Sequence, residues 1–134
     1  SVKCDVQQSA PETGSEQTKQ LPTSRIAFIR SALDHWCADL GYKDSTVNML
    51  TLSHLLGINK TELSQYFSQC QHTTFRIWLS EIRFNAAKKM MMENPDFSND
   101  IISAECGFSS RSYLYRVFKE KEGCTPIAWR DKQA

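Results

Sequence analysis

Four residues, Gly107-Phe108-Ser109-Ser110, constrain the fold of this chain more than any others. Glycine accepts the positive φ of a tight turn, and Ser109 or Ser110 can cap the free N–H groups of a helix that starts there. Downstream, Tyr113, Leu114, Val117 and Phe118 recur at helical spacing, while Arg111, Ser112, Tyr115 and Arg116 fall off that stripe. Gly123 suits the end of this helix, and Thr125-Pro126 suits the start of another, closed by Trp129-Arg130. Upstream, residues 101–106 form a short helix running into Gly107. Helix, tight turn and a second helix with exposed Arg, Ser and Tyr read as a helix-turn-helix; the same pattern also fits an αα-hairpin in an ordinary bundle.

The pattern occurs twice, which favours the first reading. Asn48 is a suitable cap for a helix over 49–56, and Gly57-Ile58-Asn59 makes a turn. Asn59 then caps a third helix, with Glu62 where a capping box needs an acid. Leu63, Tyr66 and Phe67 face inward on that helix; Lys60, Thr61, Ser64 and Gln65 face outward. Aligned on Phe67 and Phe118, the outward four match Arg111, Ser112, Tyr115 and Arg116, and Asn59 matches Ser110. Ser53 and Ser103 fall where the paired helices cross. His72 stands at the position of Gly123, so a histidine in the left-handed region is expected.

Between the units a helix runs from Thr73 to about Met92, capped by Thr73 or Thr74, with Phe75, Trp78, Leu79, Ile82, Ala86 and Met90 on its apolar face. Asn94-Pro95-Asp96 ends it. Ahead of the first unit, Pro22 and Thr23 or Ser24 open a helix with Ile26, Ile29, Leu33, Trp36 and Leu40 on one face, stopped by Gly41. Residues 1–20 are polar and cannot offset their ordering entropy by burial; they read as a tail or linker that permits an upstream sensor or dimerisation domain.

Composition narrows the function classes. The net charge of +1 does not by itself announce a nucleic-acid partner. No apolar run reaches membrane-spanning length, and no signal peptide is visible. The five cysteines are odd in number and lack a Cys-x-x-Cys pair, which suits free thiols in a reducing, cytoplasmic setting. No metal-ligand spacing, Ser/His/Asp arrangement, paired-carboxylate site or Gly-rich phosphate loop stands out, so neither an enzyme nor a cofactor is expected.

Gly107-Phe108-Ser109-Ser110, the run from Tyr113 to Lys119, Gly123, Thr125-Pro126 and Trp129-Arg130 together resemble the C-terminal signature of the AraC/XylS family of transcription regulators. The resemblance covers about residues 45–132. It implies an all-α domain over residues 21–134, with seven helices and two helix-turn-helix subdomains, 21–72 and 96–134, joined by a long linker helix over 73–92. A linker of that length spans roughly 30 Å. That is close to the ~34 Å repeat of B-DNA, so two recognition helices would enter successive major grooves of double-stranded DNA. Carried over by position, Lys60, Thr61, Ser64 and Gln65 in one subdomain and Arg111, Ser112, Tyr115 and Arg116 in the other would read bases. Lys60, Thr74, Arg76, Lys88 and Lys119 would meet phosphates. Arg83, where the family commonly places an arginine, is either a phosphate contact or a structural tie. The implied function is sequence-specific transcription regulation, as an activator that recruits RNA polymerase. The alternative is a helical protein–protein interaction module with a degenerate helix-turn-helix.

Overall fold

In the computed structural model, which describes residues 20–134, every regular element is helical. The expected tail falls on residues 1–19, outside the described residues, with only Gln20 inside them. Seven α-helices follow: α1 Thr23–Ala38, α2 Met49–Leu56, α3 Lys60–Cys70, α4 Phe75–Glu93, α5 Asn99–Glu105, α6 Arg111–Glu122 and α7 Pro126–Gln133, with a 3-10 turn at Gly41–Lys43 after α1. None of these helices is long and apolar enough to cross a membrane.

The helix ends follow local chemistry. Asn59 accepts from the N–H groups of Thr61 and Glu62, Ser98 from Ile101, Ser110 from Tyr113 and Thr125 from Ala128. Each supplies an oxygen to N–H groups that have no partner within the helix. Of the two serines before α6, Ser110 is therefore the cap. The end of α1 differs from expectation. Leu40 takes the left-handed conformation (φ 64°), and it is exposed rather than part of the apolar face. Gly41 has another reason to be glycine: a Cβ there would run into the Trp36 indole.

The helices fall into two compact units. The first holds α1 up to Asp34, α2 and α3; the second holds residues 35–48 and α4 to α7. The long helix that reads as a linker thus packs as part of the second unit. Its buried face is Phe75, Leu79, Arg83, Phe84, Ala87 and Met91, while Trp78, Ile82, Ala86 and Met90 are half-buried. The expected stripe was one residue out of phase beyond Leu79, because α4 is covered on more than one side. In the first unit Ile29, Leu33, Leu52, Ile58, Leu63, Tyr66 and Phe67 are buried. In the second, Phe84 meets Phe118 edge to face at 4.9 Å, and Trp129 packs on Phe118 at 5.7 Å. Ile102, Cys106, Phe108, Leu114 and Val117 complete that core. Cys37, Cys70, Cys106 and Cys124 are free thiols, and burial pushes the Cys106 thiol up to about 11.

The two helix-turn-helix turns share one backbone solution. After α2, Gly57 is left-handed (φ 65°), and the Ile58 N–H donates to the Ser53 carbonyl at 3.1 Å. After α5, Gly107 is left-handed (φ 90°), and the Phe108 N–H donates to the Ser103 carbonyl at 3.0 Å. Both are the six-to-one closure of a Schellman motif. Ile58 and Phe108, the residues after each glycine, are buried, as are Ser53 and Ser103. The second turn holds one more residue, Ser109, before its capping side chain. At the far end of each second helix, His72 (φ 55°) occupies the left-handed region that Gly123 (φ 76°) occupies in the other, as the register predicts.

Gly107 is constrained more tightly than Gly57. A Cβ on Gly57 would meet nothing within 4 Å, whereas one on Gly107 would overlap the Tyr42 carbonyl oxygen and come within 2.8 Å of Arg83 Nε. Gly57→Ala should therefore cost only the left-handed penalty, roughly 1–2 kcal/mol. Gly107→Ala should cost more than about 3 kcal/mol, because the 3-10 turn must also move. Urea denaturation of the two variants measures the difference; equal losses would count against the close approach seen at Gly107.

Candidate nucleic-acid interface

The exposed face of α6 is built from the turn outward. Ser110 caps the helix, Leu114, Val117 and Phe118 bury its inner side, and Arg111, Ser112 and Arg116 are left exposed, with Tyr115 half-buried. Arg111, Ser112 and Tyr115 line one shallow depression. Arg111 Nε lies 3.6 Å from Asp100 Oδ1, with both side chains largely exposed. Such a pair contributes about 0–1 kcal/mol, so an incoming phosphate or base edge can displace the carboxylate. The Arg116 guanidinium stands 5.1 Å from the Tyr113 ring centroid. That distance is within cation–π range of the ring. The Tyr115 hydroxyl accepts from Asn99 Nδ2 at 3.3 Å.

On α3 the equivalent positions are Lys60, Thr61 and Ser64, exposed, and Gln65, half-buried. Glu62 shares the first turn with them but is turned to another task. Its two carboxylate oxygens accept from Arg25 Nε at 2.9 Å and Nη2 at 2.6 Å. This bidentate tie joins α1 to α3 within the first unit, and it holds the Glu62 carboxyl below the usual carboxylate range. The acid beside these four polar side chains is thereby paired. Sequence spacing suggests a capping-box role for Glu62; nothing local signals that it meets Arg25.

The phosphate candidates divide sharply. Thr74, Arg76 and Lys119 are exposed. Lys88 is engaged, pairing with Glu122 at 3.0 Å and lying 4.6 Å from the Phe84 ring centroid. Arg83 is the correction: it is buried, donating from Nε to the Tyr42 carbonyl at 2.9 Å and from Nη2 to the Asp44 carbonyl at 2.8 Å. Burial pulls its pKa below the ordinary value, and Tyr113 and Asp44 push it back up. Of the two roles open to Arg83, the geometry is that of the structural tie. An arginine four residues after Leu79 on an apolar stripe was the available signal for it.

The helix-turn-helix domain family model HTH_18 matches residues 52–132, taking in both turns and the helices after them. The chain belongs to the AraC-type helix-turn-helix family of DNA-binding transcription regulators. The regulator ExsA of Pseudomonas aeruginosa is 34% identical over 74 residues, which is 55% of this chain and 26% of that protein. The chain is thus matched over about a quarter of the relative's length. Among solved structures, the C-terminal domain of AraT, a response regulator from Geobacillus stearothermophilus, superposes with a TM-score of 0.69 at 19% identity, over 78% of this chain and 84% of that one. The DNA-binding domain of AdpA, solved in complex with a target DNA, gives a TM-score of 0.63 at 23% identity, over 80% and 90% of the two chains. These last two likenesses concern the fold.

Replacing Arg83 by Met removes the side-chain donor from the Tyr42 carbonyl, while the Asp44 carbonyl keeps the Val47 N–H at 3.3 Å. The expected loss is about 1–3 kcal/mol of folding free energy, the cost of one acceptor left unpaired inside the fold. DNA affinity measured well below the unfolding transition should change little. A variant of unchanged stability with weakened binding would return Arg83 to the phosphate contacts.

Proposed function

We propose that this domain binds double-stranded DNA sequence-specifically by laying α3 and α6 into successive major grooves, and that it acts as a transcription activator. The observation that carries this reading is the repeated turn: two Schellman-closed turns each deliver a side-chain-capped helix whose outer face is polar and whose inner face is buried. The proposed base readers are Lys60, Thr61, Ser64 and Gln65 on α3 and Arg111, Ser112, Tyr115 and Arg116 on α6. Arginine can give two parallel hydrogen bonds to guanine and glutamine can do the same to adenine, each pairing worth about 1–3 kcal/mol of discrimination. Phosphate contacts fall to Lys60, Thr74, Arg76 and Lys119. Activation rests on likeness to relatives such as the virulence regulon transcriptional activator VirF of Yersinia enterocolitica, and recruitment of RNA polymerase is the step it would use. In the whole protein a sensor or dimerisation domain would supply the signal.

A second reading, a helical protein–protein module, is favoured by the near-neutral charge and by exposed apolar residues such as Leu55 and Ile127. Salt separates the two. With three exposed cations, Lys60, Arg76 and Lys119, on phosphates, the log–log slope of the association constant against salt should be about −2.7, at roughly −0.9 per neutralised phosphate. Lys119→Ala should make it shallower by about 1. An apolar protein interface gives no such dependence.

Selection from a random duplex pool tests the two-headed arrangement. A bipartite motif is expected, with half-sites about one helical turn apart. Arg116→Ala should relax one half and Gln65→Ala the other. Enrichment of a single half that only Arg116→Ala disturbs would reduce α3 to a positioning arm.

A further inference from the structure

One hydrogen-bonded chain in the second unit runs from α7 to the outer face of α6. Arg130 Nη1 donates to Asn99 Oδ1 at 2.7 Å, and Arg130 Nη2 donates to the Pro95 carbonyl at 3.1 Å. Asn99 Nδ2 in turn donates to the Tyr115 hydroxyl at 3.3 Å. An amide has one acceptor end and one donor end. With its oxygen held by a guanidinium, which can only donate, the donor end of Asn99 is directed at Tyr115. The phenol therefore spends a lone pair on Asn99 and keeps its own proton for another acceptor. Tyr115 opens on the same shallow depression as Arg111 and Ser112.

We propose that Arg130 and Asn99 are positioning residues that hold Tyr115 as an oriented hydrogen-bond donor for a base acceptor in the major groove, a purine N7 or a thymine O4. The proposal rests on the DNA reading above and deepens it. Without the relay the phenol rotor is free, and Tyr115 would read by apolar contact, as with a thymine methyl. With the relay, the polarity of one hydrogen bond is set by α7, which need not touch the base itself. Fixing the ring in advance also removes part of the entropy cost of ordering it on DNA. Arg130 lies in the signature at the end of the chain, but its spacing alone shows no link to α6.

The test compares anisotropy titrations of the full chain on its selected duplex with titrations on duplexes altered one base pair at a time. Tyr115→Phe removes a single surface hydroxyl and should cut discrimination at one base pair by about three- to tenfold. Asn99→Asp is the sharper variant. Aspartate keeps the bond to Arg130 and suits the first turn of α5, but it can only accept, so it takes the phenol proton for itself. It should lose discrimination at the same base pair as Tyr115→Phe, and the double variant should lose no more than either. Arg130→Gln should show the same positional loss in weaker form. Thermal melts of each variant separate this from unfolding. If Tyr115→Phe discriminates as the wild type does, or if Asn99→Asp weakens all duplexes alike, the relay is wrong while the DNA reading stands. A wild-type chain that enriches no duplex removes the DNA reading and the relay with it.

Discussion

The buried Arg83 guanidinium holds the second unit together. It is a charge removed from water, so its donors need partners, and the Tyr42 and Asp44 carbonyls accept from Nε and Nη2. Those partners come from the segment after α1, while Arg83 itself sits on α4. The tie also sets the space around Gly107, which has Tyr42 on one side and Arg83 on the other. The turn that aims α6 is therefore clamped by backbone that sequence alone would assign to a loop. A buried charge is costly unless it is hydrogen-bonded; here the two bonds to backbone carbonyls fix where the turn lies.

The two helix-turn-helix turns reach one backbone geometry with different side chains. Gly57 and Gly107 supply the left-handed residue, Ile58 and Phe108 the buried anchor, and Asn59 and Ser110 the cap. What differs is how each outer face is managed. On α3 an acid is drawn away by Arg25. On α6 an acid stands beside Arg111 in a weak, exposed pair, and an arginine is braced on an aromatic ring. Both devices leave the same result, a helix whose outer polar groups are arranged by neighbours that lie off that face.

Much of this was legible from local signals. The caps at Asn59, Ser110 and Thr125, the left-handed His72, and the inward Leu63, Tyr66, Phe67, Leu114, Val117 and Phe118 all depend on bonds or spacings within a few residues. Where the reading slipped, the deciding contact was distant in sequence. The buried face of α4 shifted because Phe84 met Phe118.

The sequence by itself determined which segments form the seven helices, where most of them begin (α5 starts at Asn99 rather than at residue 101), and that two turns of one kind each precede a polar-faced helix, since capping and periodicity are properties of neighbours along the chain. The tertiary structure decided what the long side chains do. It placed Arg83 on carbonyls of another segment, Glu62 on Arg25, and Arg130 on Asn99 and through it on Tyr115. A flexible charged side chain has many partners within reach, and only the packing of the helices selects one.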